Sequence, residues 1–154
     1  MKKSPEIKPA DEVEFIQVLT MVEDLGLQSE GLRPDMPFLA VAVIDSEIVG
    51  CAALEVEDRL GLIRSVGVGL RFQGMGLGNR LVTAVLEHAA DIGLKAVYLL
   101  TTTAEEYFPR FGFERLAGGP LPAIVTGSAE YSTCVAESAT VMRKELNPES
   151  ADAA

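Results

Sequence analysis

Between Val66 and Val82 the chain has the residue types needed to hold an anion without a basic side chain. An apolar β-type run, Val66-Gly67-Val68, leads through Leu70-Arg71-Phe72-Gln73 to glycines at alternate positions. These are Gly74, Gly76 and Gly78, with Met75 and Leu77 between them. An amphipathic pattern starts immediately behind. Strand, glycine-rich turn and helix N-terminus make a phosphate cradle. The first-turn N–H groups have no intrahelical partner and the helix dipole adds a partial positive charge. Glycine removes the Cβ that would keep an anion off the backbone.

A second set of residues surrounds this stretch. Arg64 lies in an otherwise apolar strand, where a guanidinium needs a carboxylate. That partner is Glu55 or Glu57 on the preceding strand, or the carboxylate of an acidic substrate, and the two are compatible. By alternation Arg64 shares a face with Leu60, Leu62, Val66 and Val68 unless a bulge intervenes. Glu55 is either a solvent-facing edge carboxylate or a base or orienting group for an amine. Thr101, Thr102 and Thr103 end a strand, either as a helix cap or as hydroxyls for a ligand. His88 is about twelve residues into its helix, ~18 Å from the phosphate end, and reads as a packing residue. Cys51 reads as a small core residue and Cys134 as a loop residue.

The elements that must position these groups follow from periodicity. Residues 4–9 suit a short strand. Asp11 is a plausible N-cap for a helix through Val13, Phe15, Ile16, Leu19 and Val22 to about Leu25, stopped by Gly26. Residues 26–37, with two glycines and two prolines, read as a loop or irregular helix of the kind that binds ligands. Phe38–Asp45, Ile48–Glu57 and Leu60–Val68 read as a meander turning at Asp45-Ser46-Glu47 and Asp58-Arg59. A helix from about Gly76 to Ile92 ends at Gly93, with Leu77, Leu81, Val85 and Ile92 on one stripe. Ala96–Thr101 is a buried strand, parallel to the one before the cradle by a right-handed crossover. Thr102 or Thr103 is expected to cap a short helix, Ala104 to about Arg110, weakened by Pro109. A strand after Phe113, a loop over 117–130 with one helical turn, and a last strand over 138–146 complete a single domain, residues 1–146. Residues 147–154 are a polar tail expected to be disordered.

The type of cradle narrows the ligand. The nucleotide P-loop pattern is absent. The dinucleotide fingerprint fails as well, because its third glycine is missing and an antiparallel meander precedes it. Gln73, Gly76 and Gly78 match the R/Q-x-x-G-x-G/A motif of the GNAT N-acyltransferases. Ala104-Glu105-Glu106-Tyr107-Phe108 with Phe111-Gly112-Phe113 resembles that family's A-x-x-F-Y-x-x-x-G-F segment. The resemblance covers roughly residues 38–115. It implies an α/β fold with a mixed, mostly antiparallel, twisted sheet of six or seven strands and helices on both faces. It further implies acetyl-CoA as cosubstrate. Its pyrophosphate would lie on the amides of residues 73–78, and its pantetheine in a splay between the strands near 66–70 and 96–101. Thr103 and Phe108 would contribute contacts, and the acyl carbonyl would lie near the backbone of Val66–Val68.

The implied chemistry is attack by a neutral amine on a thioester. It needs a route for the amine proton, a donor for the oxyanion and an acid for the thiolate. Family members commonly place a tyrosine on the short helix as that acid. Here Phe108 holds the matching position and Tyr107 precedes it, rotated by about 100°. Tyr107 is the candidate acid and Glu55 the candidate base, with Arg64, Thr101 and Thr102 toward the acceptor. A non-catalytic acyl-CoA sensor is the competing reading.

Leu62-Ile63-Arg64-Ser65-Val66, Leu99–Ala104 and Thr126–Met142 are similar to the N-acetyltransferases associated with arsenic resistance. The Leu-Thr-Thr run also resembles the acetyltransferase domain of N-acetylglutamate synthases. Both imply an amino-acid-like acceptor bearing a carboxylate, met by Arg64.

Composition sets the outer limits. With 154 residues and 48% hydrophobic residues, one domain with a sizeable core is expected. A net charge of −10 argues against nucleic-acid or anionic-membrane partners. One histidine and two distant cysteines do not supply the ligands of a structural zinc site, so no metal is expected. With no signal-like or membrane-length apolar run, a cytoplasmic chain with reduced thiols is expected. A homodimer is left open.

Overall fold

A computed structural model describes residues 4–27, 29–102, 104–116, 119–128, 131 and 139–146. The elements run β1 (Glu6–Pro9), α1 (Glu12–Asp24), β2 (Phe38–Ile44), β3 (Glu47–Glu57), β4 (Leu60–Val68), α2 (Leu77–Asp91), β5 (Ala96–Thr101), β6 (Glu114–Arg115), α3 (Ala123–Thr126) and β7 (Thr140–Glu145). Short 3-10 turns lie at Leu70–Phe72 and Phe108–Phe111. One seven-stranded sheet has the order β1-β2-β3-β4-β5-β7-β6. Every neighbouring pair is antiparallel except β4 and β5, which are joined through α2.

Alternation along β2 and β3 produces two cores. Val41, Cys51 and Ala53 face α1 and bury Val18 and Val22. Ala40, Ala42, Ala52 and Leu54 face the other way, against Leu81, Val85 and Ala89 of α2. Small side chains in the central strands let both helices sit close to the sheet. The helices therefore cover opposite faces, as the family resemblance implies.

Local signals account for the boundaries. Asp11 caps α1 as expected and is one half of a capping box. Its carboxylate accepts from the Glu14 N–H at 2.8 Å, and the Glu14 carboxylate accepts from the Asp11 N–H at 3.0 Å. The β2–β3 and β3–β4 turns each place two consecutive residues at positive φ, Asp45-Ser46 and Asp58-Arg59. That is the two-residue hairpin geometry that matches strand twist, so Glu47 already belongs to β3.

Three expectations need correction. The helix expected over Ala104–Arg110 is a turn followed by the 3-10 segment Phe108–Phe111. Pro109 has no N–H to donate, so the bonds tighten to Arg110 N–H on Tyr107 and Gly112 N–H on Pro109. No side chain caps that 3-10 segment; the turn before it is closed by Thr101, whose Oγ accepts from the Ala104 N–H at 2.9 Å, while Thr102 is exposed. The face shared by Arg64, Val66 and Val68 does not exist, because a bulge intervenes. Cys51 pairs with Gly67 and Ala53 with Arg64, leaving one extra residue on β4. Arg64 thus lies on the α1 side with Ala53, while Val66 and Val68 pack against the α2 core. The expected tail, 147–154, lies outside the described residues, as do Thr103 and Cys134.

Candidate functional site

The site starts where β4 and β5 part. Their parallel pairing is confined to Leu60–Leu62 against Ala96–Tyr98, yet β4 continues to Val68 and β5 to Thr101. Beyond Leu62 the strands diverge, and their facing backbone groups line a wedge. Both strands keep their outer partners, β3 and β7. The wedge is therefore a built opening and not a frayed edge.

The glycine stretch lies at its mouth. Gly74 and Gly76 adopt φ of 84° and 80°, with nothing within 4 Å of where a Cβ would stand. Gly76 is the N-cap of α2 and supplies no side-chain acceptor, so the first-turn N–H groups face open space. The Gln73 side chain donates to the Val68 carbonyl at 3.0 Å, tying the loop to the end of β4. Met75 is exposed, whereas the Leu77 side chain is in the core and leaves only its N–H to the cradle. An open, Cβ-free concavity beneath a 15-residue helix fits a pyrophosphate.

Tyr107 belongs to this mouth. Its hydroxyl donates to Asn79 Oδ1 at 2.7 Å, and an added Cβ on Gly78 would lie 3.2 Å from the same oxygen. Burial raises its pKa, opposed by the Arg110 charge, whose guanidinium lies 4.5 Å from the ring centre. Phe108 points the other way, into the α2-side core, edge-on to Tyr107 and to Phe113.

On the α1 side, Arg64 is fully buried. Nη1 donates to Glu55 Oε2 at 3.1 Å, Nη2 to the Glu30 carbonyl and Nε to Ser65 Oγ at 3.3 Å. Of the two carboxylates anticipated from sequence for Arg64, Glu55 or Glu57, Glu55 is paired with it. Glu55 also has Arg33 Nη1 at 3.7 Å from Oε1, and Arg33 in turn meets the exposed Asp35 at 3.2 Å. Arg33, Glu30 and Asn79 were not singled out from sequence. Arg33 does lie in the Gly/Pro-rich segment read as a binding loop, which was the available signal. His88 stacks on Phe38, ring centres 4.3 Å apart, as a packing residue should. Among the described residues no cluster of three or more His, Cys, Asp or Glu could hold a metal, and no helix is long and apolar enough to cross a membrane.

Comparison with known proteins agrees with this geometry. The Acetyltransferase (GNAT) family matches residues 8–113, and the chain belongs to that family. An amino-acid acetyltransferase from Mycobacterium tuberculosis is 40% identical over 80 residues, 51% of this chain and 45% of that protein. One from Neisseria meningitidis is 32% identical over 80 residues, 51% of this chain and 18% of that protein. The chain thus spans less than half the length of these curated relatives.

Among solved structures, Rv2747 from Mycobacterium tuberculosis in complex with CoA and NLQ has a TM-score of 0.77 at 26% identity, covering 92% of this chain and 99% of that one. The N-acetylglutamate synthase from Neisseria gonorrhoeae complexed with CoA and N-acetyl-glutamate has a TM-score of 0.75 at 19% identity. It covers 95% of this chain and 36% of that one, and bears on the fold.

Proposed function

We propose that this chain transfers the acetyl group of acetyl-CoA to the amine of a small amino-acid-like acceptor carrying a carboxylate. The observation that carries the reading is the wedge between β4 and β5, with the glycine cradle at its mouth and the Arg64–Glu55–Arg33 chain on its α1 side. The cradle amides of residues 73–78 hold the pyrophosphate. The backbone at Val66–Val68 faces the thioester, and its N–H groups polarise the acyl carbonyl. The neutral amine attacks that carbon, the C–S bond breaks, the thiolate leaves with a proton and the amine loses one.

The acceptor's carboxylate docks on Arg33 more readily than on Arg64. Reaching Arg64 means displacing Glu55 from a fully buried guanidinium, which costs ~3–5 kcal/mol. Displacing Asp35, 84% exposed, from Arg33 costs ~0–1 kcal/mol. Arg64 then acts by fixing Glu55, which faces the acceptor's ammonium group as base or anchor. Glutamate, or an arsenic- or phosphorus-containing glutamate analogue as in arsenic-resistance enzymes, has the required charges. Dependence on acetyl-CoA suits a cytoplasmic reaction.

Thiol release from acetyl-CoA across a panel of amines tests this. Acceptor-dependent release with carboxylate-bearing amino acids is expected, and release only with polyamines or peptides would overturn the acceptor class. Phe108 at the usual acid position favours a second reading, an acyl-CoA sensor. Tight CoA binding with no turnover on any amine would establish that instead.

A further inference from the structure

The bulge in β4 is an unusual piece of backbone. Ser65 is not glycine, yet its φ is +55°, in the region L-residues enter at a cost. It is also buried, so this conformation is held from inside the fold. Among the described residues, two side chains bond to it. Arg64 Nε donates to its hydroxyl, and the Cys51 thiol donates to its carbonyl at 3.2 Å. Cys51 is itself fully buried on β3 directly across from Gly67. Its thiol therefore ties β3 to the bulged backbone one residue before Val66.

Peptide planarity gives this bridge a consequence. In a trans peptide the carbonyl and the following N–H point in opposite directions. With the Ser65 carbonyl turned to the Cys51 sulfur on the α1 face, the Val66 N–H points away from that sulfur. It lies in the stretch of β4 beyond Leu62 that no longer pairs with β5. A thiol, small and a weak neutral donor, suits a carbonyl within a closed core.

From this geometry we infer that Cys51 is a positioning residue: its thiol holds the Ser65–Val66 peptide so that the Val66 N–H is aimed at the thioester carbonyl. Cys51 touches no substrate and does no covalent chemistry. The burial that pushes its pKa up to about 12 keeps it a neutral donor at working pH. The inference rests on the acyl-transfer reading above.

The test uses Cys51→Ser, Cys51→Ala and Cys51→Val with acetyl-CoA labelled at the acetyl carbonyl. The readout is the infrared carbonyl stretch of the bound thioester, which needs no acceptor, alongside CoA affinity and turnover. A lowered stretching frequency is expected in the unaltered chain and in Cys51→Ser, which keeps a donor. Cys51→Val, which keeps the volume, and Cys51→Ala should lose most of that shift. Their kcat should fall by ~10- to 100-fold, with acceptor KM and CoA affinity changed less than about threefold, roughly half a decade. A lowered frequency in the unaltered chain that persists in Cys51→Val overturns the role of Cys51. No lowering in the unaltered chain overturns the acyl-site reading itself. Should Cys51→Ala fail to fold, the Val and Ser pair still decides between these outcomes.

Discussion

Gly78→Ala probes the cradle at its tightest point. Gly78 is the second residue of α2, so alanine favours the helix by at most the ~1 kcal/mol of an interior position. Its new Cβ stands 3.2 Å from the Tyr107 hydroxyl, closer than such atoms normally sit, and 4.0 Å from Val68. The tyrosine cannot simply tilt. Its ring lies edge-on to Phe108 and Phe111, centres 5.1 and 5.4 Å away, with Arg110 over its face. The contact that gives is the 2.7 Å bond to Asn79. Losing a neutral hydrogen bond costs ~0.5–1.5 kcal/mol, so overall stability should stay within ~1 kcal/mol of its starting value.

The cradle should register the change instead, because Asn79 belongs to the first turn of α2. We expect CoA affinity to fall by ~3- to 10-fold in Gly78→Ala and in Tyr107→Phe alike. The double variant should be no worse than Tyr107→Phe alone and should melt higher, since removing the hydroxyl frees the space for the Cβ. Titration calorimetry with CoA and thermal unfolding of the four proteins measure this directly. Strictly additive losses in affinity would falsify the shared contact. A fall in kcat by more than ~100-fold in Tyr107→Phe would show that Tyr107 is the thiolate's acid.

Three further outcomes follow from the geometry. Arg33→Ala should raise the KM of a carboxylate-bearing acceptor by ~10-fold or more while CoA affinity holds, as steady-state kinetics would show. Glu55→Ala removes a carboxylate bonded to the buried Arg64, so it should lower stability by up to ~3 kcal/mol in denaturant titrations, more than Arg33→Ala does. Alkaline stability should report Cys51. Its thiol ionises at 9.0 when unfolded but at about 12 in the fold, so its contribution is complete below pH 9.0 and is lost as pH rises toward 12. The fall is up to ~1.4 kcal/mol per pH unit, and urea midpoints above pH 9.0 should show Cys51→Val with a shallower decline.

Local signals carried most of the fold. The Asp11 cap, the two-residue turns at Asp45-Ser46 and Asp58-Arg59, the apolar runs and the stripe of α2 each act over a few residues, and short-range physics decides them. The cradle was legible for the same reason: its glycines do their work through their own φ angles and missing Cβ atoms. Ser65 shows where such reading stops. Nothing in a serine between arginine and valine announces a positive φ, because that conformation is imposed by Cys51 and Arg64 packed around it. The bulge it creates reversed the face assigned to Val66 and Val68. The 3-10 form of Phe108–Phe111 was half visible in Pro109, but the closing of the turn before it on Thr101 needed the end of β5 in place.

What the sequence alone determined was the set of elements, the anion cradle and the family whose ligand that cradle suits. The tertiary structure alone decided which charged groups meet. Arg33 reaches Glu55 across 22 residues of chain, and Tyr107 reaches Asn79 across 28. Such contacts depend on how strands diverge and loops fold back, and a one-dimensional pattern does not encode those directions. Arg64 carries both lessons. Its need for a carboxylate could be read from an apolar strand. That it is wholly enclosed, while Arg33 stays half exposed beside Glu55, follows from the packing of the α1–β2 loop over β4.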